Sequence, residues 1–186
     1  MLKARTEYPA IKKLENKLKV DVDRLLKIFN NLDNLRDNIN KKYGQNLIND
    51  QYEQSTLTYP SNGNYDDEKS YDTVIEQYQN TYLADVISIF NSPVTRIRFI
   101  RKKPGAYILP HIDYNTTYSL RFYIPLQTNE WAFTHVKEKN GKTYTQNLKA
   151  DGSIYFVNPG YLHSACNLGN TDDIRLIFSV NGQNDF

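Results

Sequence analysis

The chain has 186 residues, of which 39% are hydrophobic and 24% charged, and this balance excludes an intrinsically disordered protein. A net charge of +2 is too small to favour nucleic acid or a membrane surface as a partner, and no apolar run reaches the roughly 18 residues of a membrane span. Only one cysteine is present, so no disulfide can form within the chain. Because the N-terminus also lacks the apolar core of a signal peptide, we expect a cytoplasmic protein.

The first 92 residues carry two helical patterns separated by a polar stretch. After Asp21, a suitable N-cap, apolar residues recur at three- and four-residue spacing, which predicts a long amphipathic helix that ends near Gly44. A second helix is predicted over about residues 71–90 and ends before Pro93. Residues 45–70 are polar and predict a long loop, which is either a lid over a binding site or a plain surface connection.

Beyond residue 93 the sequence changes to short alternating segments typical of β-strands. Turn signals separate these segments at Pro104-Gly105, Asn140-Gly141 and Asp151-Gly152. The predicted strands are residues 94–103, 107–110, 118–126, 132–137, 142–148, 153–157, 163–167 and 174–180. Short strands at this spacing indicate a sandwich or barrel. We therefore expect a single, mainly β domain over residues 1–186. Its core over residues 93–186 should be a double-stranded β-helix (a cupin-like jelly roll), braced by two long helices within residues 1–92.

His111 and Asp113 are the first candidates for a functional site. Residues two apart on a strand point to the same face, so both side chains can reach one cation. His163 follows a Pro-Gly turn about fifty residues later, and in a jelly roll such a gap returns the chain to the strand beside His111. Two imidazoles and one carboxylate form the facial set that binds Fe(II) and leaves positions open for substrate and O2. The sequence therefore predicts an iron-dependent oxygenase with these three residues as its metal-binding and catalytic groups.

Arg175 is the second candidate, because it lies within the apolar segment Ile174–Phe178. An unpaired guanidinium is costly to bury, and a carboxylate bound in two places would compensate it. An acidic co-substrate held beside the metal would supply that carboxylate. A purely structural pairing of Arg175 with Asp172 or Asp173 remains open.

The segments that carry these residues resemble a known family over about residues 94–181. They are Arg98-Phe99-Ile100 leading to Pro104-Gly105 and His111-Ile112-Asp113, then Leu120-Arg121-Phe122-Tyr123-Ile124-Pro125-Leu126, Asp151-Gly152-Ser153-Ile154-Tyr155-Phe156, and the stretch from His163 to Arg175. In these segments the chain resembles the 2-oxoglutarate- and Fe(II)-dependent dioxygenases. Among them it looks most like the aspartyl/asparaginyl β-hydroxylase group, which also includes free-proline hydroxylases.

The resemblance implies a role for each of six residues. His111, Asp113 and His163 would bind Fe(II), and Arg175 would pair with the C5 carboxylate of 2-oxoglutarate. Arg121 and Tyr123 would help to hold the same co-substrate, although the family members in question have histidine where this chain has Tyr123. The alternative for Arg121 and Tyr123 is a strand face exposed to solvent. Ascorbate is a candidate reductant for the iron.

The same resemblance implies hydroxylation of an unactivated C–H bond with O2, accompanied by release of succinate and CO2. The substrate would be a free amino acid, or an Asp, Asn or Pro residue in a protein. Two other classes of protein remain open, a cupin-type metal-dependent isomerase and a non-catalytic ligand-binding barrel. Cupins usually carry a second histidine where this chain has Asp113.

His135 is assigned to structure or substrate contact, and Cys166 is assigned to the core. The sequence does not determine the oligomeric state.

Overall fold

The computed structural model describes residues 7–15, 17–32, 52–113 and 119–186, and these ranges are dominated by antiparallel β-structure. The strands are β1 (Ile11–Lys13), β2 (Tyr52–Thr56), β3 (Thr58–Tyr59), β4 (Thr73–Val74), β5 (Val94–Lys102), β6 (Tyr107–His111), β7 (Ser119–Gln127), β8 (Ala132–Lys137), β9 (Thr143–Gln146), β10 (Tyr155–Val157), β11 (Leu162–Asn167) and β12 (Asp173–Asn181). The helices are α1 (Val22–Asn30), α2 (Glu76–Gln79) and α3 (Tyr82–Ser88), with a 3₁₀ turn at Glu68–Ser70.

The strands form two main sheets with a jelly-roll connection. One sheet has the order β1-β10-β7-β12-β5-β2, the other has the order β6-β11-β8-β9, and β3 and β4 form a small ribbon. Most consecutive strands from β5 to β12 pass from one main sheet to the other, and every paired strand is antiparallel. This alternation is that of a double-stranded β-helix. The predicted mainly β jelly roll is thus confirmed.

Two apolar clusters hold this arrangement together, one on each face of the six-stranded sheet. On its outer face, Leu25 and Phe29 of α1 and Leu83 of α3 pack with sheet residues such as Phe99 and Phe178. The inner cluster joins the two sheets, and its members come from both: Ala10, Ile100, Tyr123, Val136, Leu148, Tyr155, Val157, Tyr161 and Ile177. The space between the sheets is therefore bounded by packed side chains from both sheets.

The predicted pair of long bracing helices is not confirmed. α1 begins after Asp21 as expected, and the Asp21 side chain accepts a hydrogen bond from the Arg24 amide (3.1 Å), but residues 33–50 lie outside the described ranges. The helix predicted over residues 71–90 is wrong, because that stretch contains β4, α2 and α3. Thr81 caps α3 by accepting a hydrogen bond from the Leu83 amide, which restarts the helix there. The helical spacing of apolar residues continues across this break between α2 and α3, so the sequence periodicity could not reveal the break. No helix in the described ranges is long and apolar enough to cross a bilayer.

The predicted loop over residues 45–70 is also wrong in part, because residues 52–59 form β2 and β3. β2 pairs with β5 at the edge of the six-stranded sheet. Its buried positions are polar, for example Glu53, which accepts a hydrogen bond from Arg101 Nε (2.7 Å). A strand that buries polar side chains carries no hydrophobic alternation, so the sequence pattern missed it. The single-domain boundaries stay a prediction, and residues 45–51 lie outside the described ranges.

Candidate active site

His111 and His163 are brought together by strand pairing. They are direct partners in the antiparallel register of β6 and β11, and their ring centroids lie 4.3 Å apart. Asp113 follows β6, where its amide donates a hydrogen bond to the Pro159 carbonyl (3.0 Å). One ligand atom from each of the three side chains lies within 4.8 Å of the other two. The structure thus collects the predicted metal-binding residues at one point.

Backbone carbonyls fix the orientation of both imidazoles. His111 Nδ1 lies 2.8 Å from the Leu109 carbonyl oxygen, and His163 Nδ1 lies 3.0 Å from the Tyr161 carbonyl oxygen. A carbonyl oxygen can only accept, so each Nδ1 carries a proton, and Nε2 is the nitrogen with the lone pair in the neutral ring. Metal-binding histidines are held in the same way in other proteins, by an acceptor on the second ring nitrogen.

Burial keeps His163 neutral at physiological pH. Loss of solvation lowers the pKa of His163 to about 4, and the nearby His111 and Arg121 add to this effect. The hydrogen bond to Tyr161 opposes the shift without cancelling it. A neutral imidazole is the form that binds a metal ion, so no proton has to be displaced at neutral pH.

The metal-free protein should therefore lose stability as the pH falls from about 6.5 to about 4. The folded-state pKa of His163 lies below its unfolded value, so the unfolded chain takes up a proton first. The free energy of unfolding should fall by up to about 3 kcal/mol across this window. Urea unfolding at several pH values measures the slope, which His163→Asn should reduce and His135→Asn should not. Equal slopes for the wild type and His163→Asn would contradict this account of the buried imidazole.

The two carboxylate oxygens of Asp113 have different partners, a histidine and an arginine. Its Oδ1 lies 3.4 Å from His111 Nε2, whereas Oδ2 forms an ion pair with Arg121 Nη1. Arg121 is 5% exposed and fixed on β7 in the centre of the six-stranded sheet. The arginine thus orients the carboxylate and leaves Oδ1 facing the imidazoles.

Glu68, on the 3₁₀ turn, holds the other side of Arg121. Arg121 Nη2 donates to both Glu68 carboxylate oxygens, at 2.6 and 2.7 Å. Burial opposes ionisation of Glu68, but Arg121, Arg98 and Arg96 outweigh it and lower the Glu68 pKa to about 2. Residues 60–72 therefore reach the site through a charged anchor, which the sequence pattern did not reveal. The predicted role of Arg121 in holding a co-substrate stays a prediction.

Arg175 lies at the opposite end of the site, deep between the sheets. It is 1% exposed, and its Nε and Nη2 contact Asp173 at 3.1 and 2.9 Å. Its Nη1 donates to Thr134 Oγ1 on β8 (2.6 Å). The structural pairing with Asp173 that the sequence left open is thus present.

Asp173 cannot neutralise this end alone, because Lys102 also pairs with it. Lys102 is 1% exposed, and burial together with the neighbouring Arg175 lowers the Lys102 pKa to about 8. Two cations face one carboxylate, so one positive charge is left over at neutral pH. An anion of suitable size would therefore be stabilised here. Sequence reasoning missed Lys102, although Arg98, Ile100 and Lys102 follow the two-residue period of one strand face.

A cavity between the sheets extends from His111 and His163, the two candidate imidazole ligands, to Arg175. This inner cavity has a volume of about 560 Å³ including its open mouth. Tyr123, the remaining predicted co-substrate residue, lines it from β7. The other lining residues are Tyr52, Arg98, Ile100, Lys102, Ile108, His111, Arg121, Thr134, His163, Ser164, Ala165, Arg175 and Ile177.

A second, wider cavity opens on the Asp113 side of the same histidine. This outer cavity, of about 970 Å³ including open space, is lined by Tyr52, Gln54, Asp66, Asp67, Glu68, Arg96, Arg98, His111, Ile112, Asp113 and Arg121. The two cavities share Tyr52, Arg98, His111 and Arg121. His135 and Cys166, whose Nε2 and Sγ lie 3.7 Å apart, line neither cavity.

Comparison with solved structures shows which proteins have a similar fold. A 2OG-Fe(II) oxygenase family oxidoreductase from Burkholderia pseudomallei is similar over 95% of this chain and 87% of its own, with 13% identity and a TM-score of 0.57. The capsular polysaccharide assembling protein CapF from Staphylococcus aureus matches with a TM-score of 0.46 and 12% identity over 75% of this chain and 28% of its own. Oxalate decarboxylase from Bacillus subtilis gives a TM-score of 0.46 and 12% identity over 74% of this chain and 27% of its own.

Sequence comparison identifies the family. No curated protein sequence matches this chain significantly. The family model for aspartyl/asparaginyl β-hydroxylase, in contrast, matches residues 32–183. The match covers most of the chain and extends well before the segments that carried the sequence resemblance. It confirms that resemblance and makes the protein an enzyme of the hydroxylase type. The chain belongs to the aspartyl/asparaginyl β-hydroxylase family.

Proposed function

We propose that this enzyme is an Fe(II)- and 2-oxoglutarate-dependent dioxygenase that hydroxylates an unactivated C–H bond of an amino acid, either free or as an Asp, Asn or Pro residue in a protein. One observation carries the proposal. Both histidines of the two-histidine, one-carboxylate cluster line the same cavity as Arg175 and Lys102, which carry the excess positive charge. The neighbour from Burkholderia pseudomallei, an oxygenase of this cofactor class, supports the fold that such chemistry requires.

The three side chains fit a ferrous ion in their donor chemistry. His111 and His163 each offer an Nε2 lone pair, because their Nδ1 protons are held by carbonyl oxygens. Asp113 offers Oδ1, while Arg121 holds its other oxygen. Three protein ligands on one face leave the other positions open to small molecules. When bound, iron supplies the activation of O2 that couples decarboxylation of 2-oxoglutarate, to succinate and CO2, with oxidation of the substrate C–H bond.

The chain's own contribution is to bind and orient a dicarboxylate in the cavity between the sheets. Arg175 and Lys102 supply two cations against the single carboxylate of Asp173, so the C5 carboxylate of 2-oxoglutarate would complete the charge balance. Thr134 Oγ1 already accepts a hydrogen bond from Arg175 and can donate its own proton to that carboxylate. Tyr123, on β7 of the same six-stranded sheet as Arg175 and Lys102, can donate a phenolic proton as well.

Succinate release tests the proposal directly. The purified protein is incubated with Fe(II), ascorbate, 2-oxoglutarate and O2, with and without a panel of amino acids and peptides, and succinate is measured. We expect succinate only when both iron and 2-oxoglutarate are present, and more of it with the correct substrate. Heat-denatured protein with the same additions is the control. Absence of succinate together with absence of 2-oxoglutarate binding would contradict the proposal and favour a non-catalytic barrel.

A further inference from the structure

Arg98 is a buried cation without a carboxylate partner among the residues that the structure describes. It is 7% exposed, its one hydrogen bond runs from Nη1 to the Arg96 carbonyl (3.3 Å), and its Nε has no acceptor. Burial and the neighbouring Arg121 and Arg96 lower the Arg98 pKa to about 10, although Glu68 and Tyr52 oppose the shift, and Arg98 stays charged at neutral pH. A buried charge without a direct ion pair is costly, and buried charges in proteins are usually paired or bound to a ligand.

The other two arginines of the cluster already have partners. Arg121 is held between Glu68 and Asp113, and Arg96 Nη1 lies 3.5 Å from Glu68 Oε2. Glu68 also accepts a hydrogen bond from Ser179. Glu68 also attracts Arg98 electrostatically, but no ion pair joins these two described side chains, so the Arg98 guanidinium can still bind another anion.

The backbone that carries Arg98 is strained. Arg96 has a φ of 49°, the left-handed region, although it is not glycine and lies within β5. The Arg96 amide is fixed by a hydrogen bond to the Tyr71 carbonyl (2.9 Å), and its carbonyl contacts the Arg98 guanidinium. Strained residues persist where the surroundings hold them, and they cluster at binding sites.

We propose that Arg98 is a specificity-determining residue that binds a carboxylate of the substrate, at the boundary between the inner and outer cavities. This inference rests on the proposed function. Arg98 lines both cavities beside His111, whereas the site attributed to 2-oxoglutarate lies at Arg175. The substrate is therefore an acid, and its carboxylate enters from the outer cavity.

Two neutral side chains complete the subsite. Tyr52 lines both cavities, and burial raises the Tyr52 pKa despite the opposing effect of Arg98, so the phenol keeps its proton. Its hydroxyl contacts Gln54 Oε1 (3.3 Å), and Gln54 lines the outer cavity. A planar guanidinium with a phenol and an amide beside it suits a carboxylate, which accepts several hydrogen bonds at once.

Thermal stability gives a test that does not depend on catalysis. If Arg98 serves to bind a ligand, its buried charge destabilises the ligand-free protein. Arg98→Met removes that charge and should raise the Tm of the ligand-free protein by about 2 to 4 °C. A structural arginine predicts a fall instead. Arg101→Met is the matched control, because Arg101 lies on the same strand but pairs with Glu53 and lines neither cavity. A lower Tm for Arg98→Met than for the wild type would overturn the proposal.

Substrate-stimulated succinate release gives the second test. The panel contains the twenty L-amino acids with their carboxamides, and blocked tripeptides with central Asp or Asn. We expect the acids, and not their amides, to stimulate succinate release. Comparison of the free amino acids with the blocked tripeptides shows whether the carboxylate belongs to a free amino acid or to a peptide side chain. Arg98→Gln should raise the substrate KM about 10- to 100-fold, Arg98→Lys less, and Arg101→Gln not at all.

The failures of the two proposals can be distinguished. Equal stimulation by amides, or an unchanged KM in Arg98→Gln, would overturn the subsite while the enzyme still consumes 2-oxoglutarate. A loss of 2-oxoglutarate affinity in Arg98→Gln with an unchanged substrate KM would assign Arg98 to the co-substrate and overturn the proposal as well. If no compound is active and 2-oxoglutarate does not bind, the function itself has failed. The Tm comparison still decides whether Arg98 is kept for a ligand.

Discussion

His163→Ala should reduce succinate release below one hundredth of the wild-type rate. Loss of a partner that only orients a metal ligand typically costs 10- to 100-fold in affinity or activity, and loss of a ligand itself should cost more. His163 is buried between the sheets and fixed by the Tyr161 carbonyl, so no other described side chain at the site can take its place. Titration with Co(II), followed by its visible absorption, measures metal binding separately from turnover.

His135→Ala is the matched control for this exchange. His135 lies on β8 next to β11, but it contacts Thr145 and Cys166 and lines neither cavity. We expect it to retain Co(II) binding and succinate release. If His163→Ala kept wild-type turnover with 2-oxoglutarate, the assignment of the metal-binding residues would be wrong.

Arg175→Met should weaken 2-oxoglutarate binding roughly 10- to 100-fold while Co(II) binding persists. A charge-assisted hydrogen bond contributes about 1.5–3 kcal/mol, which corresponds to that loss of affinity. After the exchange, Asp173 keeps its ion pair with Lys102, so the carboxylate is not left alone. The net charge of this group therefore falls from +1, with Arg175, Lys102 and Asp173, to zero, with Lys102 and Asp173 alone. Calorimetric titration of 2-oxoglutarate into the metal-loaded protein measures the effect.

Thr134→Val separates binding from folding in this prediction. Valine has the shape of threonine but lacks the hydroxyl that Arg175 contacts. Because Arg175 and Lys102 are both retained, the affinity for 2-oxoglutarate should fall by less than in Arg175→Met. Thermal unfolding of both variants shows whether the fold is intact. If Arg175→Met lost Co(II) binding and 2-oxoglutarate binding together in a folded protein, Arg175 would have a structural role.

Local sequence patterns determined most of the β-rich half. The strand predicted over residues 132–137 has the same bounds in the structure, because its alternation and its flanking turns are local features. The same rules failed for β2, whose buried Glu53 is compensated by Arg101 and Lys103 from a distant segment. They also failed at Thr81, where a capping side chain interrupts a helix within a continuous apolar stripe. Burial of polar groups is decided by partners that the local sequence does not show.

The sequence by itself determined the chemistry of the candidate metal site. His111, Asp113 and His163 were recognised by residue type and spacing, and antiparallel pairing of β6 and β11 places the two histidines opposite each other. Only the tertiary structure decided the charge balance around them. Glu68 reaches Arg121 from a distant segment, and Lys102 reaches Asp173 across the sheet, whereas Asp173 lies only two residues from Arg175. Arg121 meets Glu68 and Asp113, Arg175 and Lys102 share Asp173, and Arg98 has no carboxylate partner among the described residues. Electrostatic compensation acts through space, so a near neighbour such as Asp173 can be suggested from the sequence, but a distant partner such as Glu68 cannot.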